Sequence, residues 1–273
     1  MLEKLDSLLD SFAGIGVPSF DCLVYHHGKP VYRRMHGFSD YEKQTPICGN
    51  ERYFIYSCSK PITVTAALTL YEKKLFDLDD KLSDYLPEFA NMTVRDGDTV
   101  RPAEGAITIR QLFTMTAGFT YNLGSANLKD GIAATGGKAL TREMMKYLAK
   151  DPLAFDPGAR FEYSLCHDVL AALVEVLSGM KFGDYVKKNI FDPLGMKDST
   201  FCLPVSDYDT LCAQYRSMRR QRNLKTSDEK TAIFWARTMP AAARAVYPRW
   251  RITSDSSKPI APTRFSARRP SGS

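Results

Sequence analysis

A mixed α/β fold of the α+β type is predicted by three features of the sequence. One amphipathic helix opens the chain, a β-hairpin follows it, and a series of helical segments punctuated by glycine and proline makes up most of the rest. With 273 residues, 44% of them hydrophobic, the chain can fill one large core or two small ones.

The opening helix is expected over residues 2–13, where Leu2, Leu5, Leu8, Leu9 and Phe12 recur at helical spacing with acids between them. The run CLVYHHGKPVYRRMHGF predicts two strands around His27-Gly28-Lys29-Pro30. RYFIY then leads to Ser57, and PITVTAALTLYEKK predicts a helix with Pro61 near its start, where proline is tolerated. LFDLDDKLSDYLPEF looks like a short acidic connection, and ITIRQLFTMTAGF like a helix closed by Gly118. After a mostly irregular stretch, helices are expected in REMMKYLAK, in HDVLAALVEVLSG up to Gly179, and in FGDYVKKNIF. There is no internal repeat.

Composition narrows the function classes. No stretch approaches the roughly 18 uncharged apolar residues of a membrane span, and the first 18 residues carry acids where a secretory signal has an apolar run. A cytoplasmic protein is expected, with no membrane partner. Six cysteines without a C-x-x-C pair suggest neither a zinc site nor a disulfide framework, so most are expected to be reduced and buried. His26, His27 and His36 lack metal-ligand spacing, and no metal or cofactor is expected. The formal charge of +6 belongs to the tail. From Ser217 onward there are 13 Lys+Arg against 3 Asp+Glu, and before it 24 against 28. Such a tail can bind nucleic acid, with affinity falling steeply with salt, but no aromatic-interleaved helix accompanies it, and no nucleic-acid partner is expected.

The chemistry concentrates at Ser57 and Lys60. Three positions apart on a helix, the two side chains face the same way, so the amine can sit against the hydroxyl. A helix amino terminus favours a deprotonated oxygen and disfavours an ammonium, which would lower the lysine pKa in a shielded site. Spacing alone is weak, since Ser178 and Lys181 repeat it at a helix carboxyl end, where the partial charges favour a protonated lysine. Ser57 has the opposite context, with an apolar strand before it and an apolar helix after it.

FIYSCSKPIT, ITIRQLFTMTAGF, FDPGARFEYS and the segment from LVEVLSG through IFDPLGMKDST occur in the order found in one family. Over most of residues 20–202 the chain resembles the class C β-lactamase-related serine hydrolases, the penicillin-binding protein and esterase group. The resemblance implies a mainly antiparallel sheet flanked by helices, plus a helical region. It also implies that Ser57 forms the acyl-enzyme, Lys60 assists proton removal, and Tyr163 is the partner base or acid. A phenol beside a lysine cation ionises more readily, which suits that role. The β-lactamases carry Y-x-N where this chain has Tyr163, Ser164 and Leu165. The departure moves the expectation toward the family's esterases and a small-molecule ester or amide substrate; a member that holds a ligand without turning it over is the rival expectation. His167 is an alternative base, but a lone histidine opening an apolar helix reads better as structural. The resemblance says nothing of the oligomeric state.

After DPLGM the family continues to an S-G-G-A-G block and a K-T-G or H-x-G strand, and neither occurs here. Shifting the frame back by one nucleotide lets Thr231–Trp250 read as NGYILGPDYASGGAGCISTV. Residues 1–216 are therefore expected to form an incomplete hydrolase domain, and 217–273 a disordered, out-of-frame basic tail created by a frameshift near Ser217. A chain truncated in this way would lack the sheet's central and far strands and one oxyanion-hole donor, a loss of roughly 100- to 1,000-fold in rate.

Overall fold

The computed structural model describes residues 2–40, 42–137, 139–201, 203–217, 224–226 and 246–248. The expected out-of-frame tail lies outside the described residues apart from Ser217 and two three-residue strands. By its internal contacts the chain divides into two compact units, one built on Met1–Glu51 and the other on Arg52–Pro248.

In the first unit, α1 (Glu3–Gly14) precedes β1 (Ser19–His26) and β2 (Lys29–Asp40), which pair antiparallel, and β3 (Thr45–Pro46) completes a three-stranded sheet in the order β1-β2-β3. His26 pairs with Lys29, so the turn is the dipeptide His27-Gly28. Both turn residues have positive φ (48° and 74°), the conformation whose twist matches that of a hairpin's strands. The helix is tied to β2 by Arg34, whose guanidinium donates to the Asp6 and Asp10 carboxylates, and by Tyr32, which donates to Asp6 at 2.6 Å.

The second unit is mainly helical. It begins with β4 (Arg52–Phe54), a 3-10 turn (Tyr56–Ser59) and α2 (Lys60–Glu72). The acidic connection forms two further 3-10 turns at Leu82–Asp84 and Pro87–Phe89. β5 (Thr93–Asp96) and β6 (Thr99–Pro102) make a hairpin, followed by α3 (Ile109–Phe113), α4 (Ala126–Ala134), α5 (Thr141–Leu148), α6 (Cys166–Ser178) and α7 (Phe182–Val186), the last running into a wider π-type turn, Lys187–Phe191. Beyond these, β7 (Tyr215–Ser217) pairs with β8 (Leu224–Thr226), and β9 (Val246–Pro248) pairs with β4, both antiparallel.

α6 is the axis of this unit. Its residues Cys166 through Glu175 are all buried, and it packs against α2, α3, α5 and α7. A helix apolar all round belongs inside a core, and VLAALV supplies the residues for it. Gly179 ends it at φ 68°, as the sequence predicts. Glu175, near its end, is buried but accepts from the backbone N–H groups of Arg142 (2.9 Å) and Phe182 (3.0 Å), which stitches α5 and α7 onto it.

Three expectations need correction. The helix in ITIRQLFTMTAGF stops at Phe113, because Thr114 caps it and Met115 turns to φ 54°; Gly118 belongs to the loop beyond. The stretch expected to be irregular contains α4, capped by the Ser125 hydroxyl, which accepts from Leu128 N–H at 3.2 Å. Of the five described cysteines, all free, only Cys166 and Cys212 are buried, whereas Cys48 and Cys58 are exposed.

Candidate active site

Ser57 sits in the 3-10 turn between β4 and α2, one residue after Tyr56, whose φ of 45° turns the chain sharply. The turn is held by the Cys58 N–H donating to Ile55 O at 2.9 Å and by the Ser59 hydroxyl donating to Tyr56 O. Ser57 is exposed while Ser59 and Lys60 are buried, so the hydroxyl faces outward with the lysine beneath it. Helix α2 itself begins at Lys60, with Pro61 in its first turn.

Tyr163 arrives from a different direction, on the segment before α6. That segment is zipped to the loop after α3: Ala154 N–H donates to Gly118 O (2.8 Å), Gly158 N–H to Thr116 O (2.8 Å), Glu162 N–H to Met115 O (3.0 Å) and Leu165 N–H to Thr120 O (3.3 Å). Asp156 in the same segment accepts a forked pair of bonds from Arg101 at 3.0 and 2.6 Å. These contacts place Tyr163 with no regular element of its own.

The structure brings Ser57, Lys60 and Tyr163 together. Lys60 Nζ donates to Ser57 Oγ at 3.3 Å, and the Tyr163 hydroxyl donates to the same oxygen. The ammonium lies 4.9 Å from the centre of the Tyr163 ring and 5.2 Å from that of Tyr121. The two rings are 5.3 Å apart.

The lysine's electrostatics differ from the sequence expectation. Burial is the largest single influence and acts downward as expected, but the Tyr163 hydrogen bond and the fields of Tyr121, Asp168 and Tyr163 outweigh it. Lys60 is held above the ordinary lysine range, and is a cation at neutral pH.

His167 is buried, and its Nε2 stands 3.4 Å from Phe113 O. Burial pushes its pKa down, so the ring is neutral at pH 7, and it contacts neither Ser57 nor Tyr163 among the described interactions. Leu165, in the place of the β-lactamase asparagine, is only 2% exposed and packs in the core.

Sequence reasoning missed Tyr121 and Asp168. Nothing in AGFTYN singles out the tyrosine. The aspartate did leave a signal, being a charge directly before the apolar run VLAALV; it is 1% exposed.

A profile of the family described as Beta-lactamase matches residues 5–243 of this chain. The chain belongs to the beta-lactamase family. Within that family it is 34% identical over 185 residues to Esterase EstB of Burkholderia gladioli, an alignment covering 66% of this chain and 46% of that protein. Two solved structures show the same beta-lactamase-family fold. EstCE1, described as a hydrolase with promiscuous acyltransferase activity, superposes with a TM-score of 0.73 at 24% identity over 90% of this chain and 68% of that one. The octameric penicillin-binding protein homologue from Pyrococcus abyssi gives 0.68 at 21% identity over 90% and 53%. The chain spans about half the length of the first curated relatives it matches, between 38% and 51%.

Proposed function

We propose that this chain carries the acylating centre of a serine hydrolase that cleaves small esters. One observation carries the proposal: a solvent-facing Ser57 oxygen receives hydrogen bonds from both Lys60 and Tyr163, groups drawn from separate segments. Ser57 Oγ attacks the ester carbonyl carbon as its proton passes to the Tyr163 oxygen, the phenol's own proton turning toward the leaving oxygen of the ester. The Lys60 ammonium stabilises the negative charge shared between the two oxygens. Tyr163 then delivers the proton to the departing alkoxide, and water repeats the sequence on the acyl-enzyme to release the acid. The Ser57 backbone N–H is one donor for the carbonyl oxygen.

Esters are favoured over amides and β-lactams because Leu165 offers no side-chain amide to the site, and because the relative at 34% identity is an esterase. The test is labelling by a fluorophosphonate and turnover of a short-chain aryl ester, with Ser57→Ala as control. Ser57-dependent labelling and turnover are expected. Turnover that persists in Ser57→Ala would sink the proposal.

A second reading, acylation without release, is favoured by Leu165, which leaves the site without the side-chain amide that the family's β-lactamases carry at that position. It predicts a burst of product equal to the protein concentration and nothing after. The composition change at Ser217 supports a further proposal, that the basic tail is translated out of the family's frame, although the family match runs on to residue 243. Resequencing the gene decides it: with no one-base correction near codon 217 that opens the frame beyond codon 273, the idea is wrong.

A further inference from the structure

Lys60 has a problem that Ser57 and Tyr163 do not solve. Its side chain is 4% exposed, and a buried ammonium is costly unless charge and hydrogen bonds compensate it. Two hydroxyls can share its protons, but neither carries a full charge in the resting site.

We propose that Tyr121 and Asp168 are positioning residues for the reaction at Ser57: the Tyr121 ring roofs the Lys60 ammonium, and the Asp168 carboxylate is the buried countercharge that keeps it a cation. The inference rests on the assignment of Ser57, Lys60 and Tyr163 as the acylating group. Its geometric basis is twofold. Asp168 is 1% exposed in the first turn of α6, the helix packed against α2, which Lys60 begins. The ammonium lies 5.2 Å from the Tyr121 ring centre, within the distance at which a ring face attracts a cation. Consistent with this placement, the Asp168 charge acts to raise the pKa of Lys60, of Tyr121 and of Cys166.

The groups acting on Lys60 come from each neighbouring segment: Ser57 from the 3-10 turn, Tyr121 from the loop after α3, Tyr163 from the segment before α6, and Asp168 and His167 from α6 itself. His167 is neutral through burial and supplies no charge. Of these, Asp168 alone is a carboxylate.

Lysine 13Cε resonances of the full chain, with that of Lys60 assigned by its loss in Lys60→Arg, report the titration whether or not the chain turns over substrate. The wild-type midpoint should lie above the ordinary lysine range. Asp168→Asn should lower it by about one pH unit or more, and Asp168→Glu should keep most of the elevation. Tyr121→Leu should also lower the midpoint and slow fluorophosphonate labelling, while Tyr121→Phe, which keeps the ring, restores most of both. A wild-type midpoint below the ordinary range, or one unmoved by Asp168→Asn, overturns the Asp168 assignment. Equal behaviour of Tyr121→Phe and Tyr121→Leu overturns the Tyr121 assignment. Failure of Ser57 labelling in the wild type sinks the hydrolase proposal instead and leaves the titration readable.

Discussion

Gly118 lies so close to the Phe155 carbonyl that a β-carbon on it would come within 2.3 Å of the oxygen. The backbone there also has φ 91°, which disfavours any L side chain. This contact lets the loop after α3 lie flat on the segment that carries Tyr163. Gly118→Ala is therefore expected to destabilise the protein by about 1–3 kcal/mol and to displace Tyr121 and Tyr163 together. Thermal unfolding and labelling rate should fall in parallel; an unchanged melting temperature would show that the contact is not rigid.

Tyr163→Phe keeps the ring over Lys60 and removes only the hydroxyl. Labelling of Ser57 should slow by roughly 100-fold or more, the usual size of a lost proton-transfer group, with little change in melting temperature. A variant labelled at the wild-type rate would remove Tyr163 from the mechanism.

His167 makes stability pH-dependent. Its folded-state pKa is depressed by burial, so the unfolded chain binds the proton more readily. The stabilisation is fully present above about pH 6.5, the unfolded value, and declines as pH falls toward the folded value. His167→Gln should flatten the unfolding free energy across that window in denaturant titrations.

Asp156 acts lower on the scale. The forked bond from Arg101, with the Glu104 N–H, holds its pKa down to about 2, so its contribution is present above the ordinary carboxylate value and is lost as pH falls through about 2. Asp156→Asn should narrow the difference in stability between pH 5 and pH 2, and should loosen the segment carrying Tyr163. Faster amide exchange at Glu162 would reveal that loosening.

Leu170 is fully buried in α6, facing helices on several sides. Leu170→Ala should cost roughly 2–5 kcal/mol, measured by urea unfolding, because a helix gripped all round cannot collapse onto the void.

Much of this fold was legible in the sequence. The opening helix, α2, α5 and α6 were carried by their periodicity, the hairpin by Gly28 in its turn and the end of α6 by Gly179, and the Ser57, Lys60 and Tyr163 grouping by motif order. What escaped was set by tertiary contact. α4 is short and weakly patterned, and its cap at Ser125 is an ordinary serine in sequence. The hairpin of β5 and β6 turns at Gly97 within a polar run that shows little alternation. The lysine's protonation was misjudged for the same reason: local position at a helix start argued for a lowered pKa, whereas the groups that raise it, the Tyr163 hydrogen bond first and then Tyr121 and Asp168, lie 61 to 108 positions further along the chain.

The positive φ of Tyr56 makes the position of Ser57 a trade. Tyrosine there works against its own backbone preference, and Tyr56→Gly would relieve that opposition and return about 1 kcal/mol or more to the native state. The same relief would free the turn to wander and Ser57 with it. Selection for robustness and selection for a fixed Ser57 therefore pull this single position in opposite directions, and a screen for thermal tolerance alone would favour the looser turn.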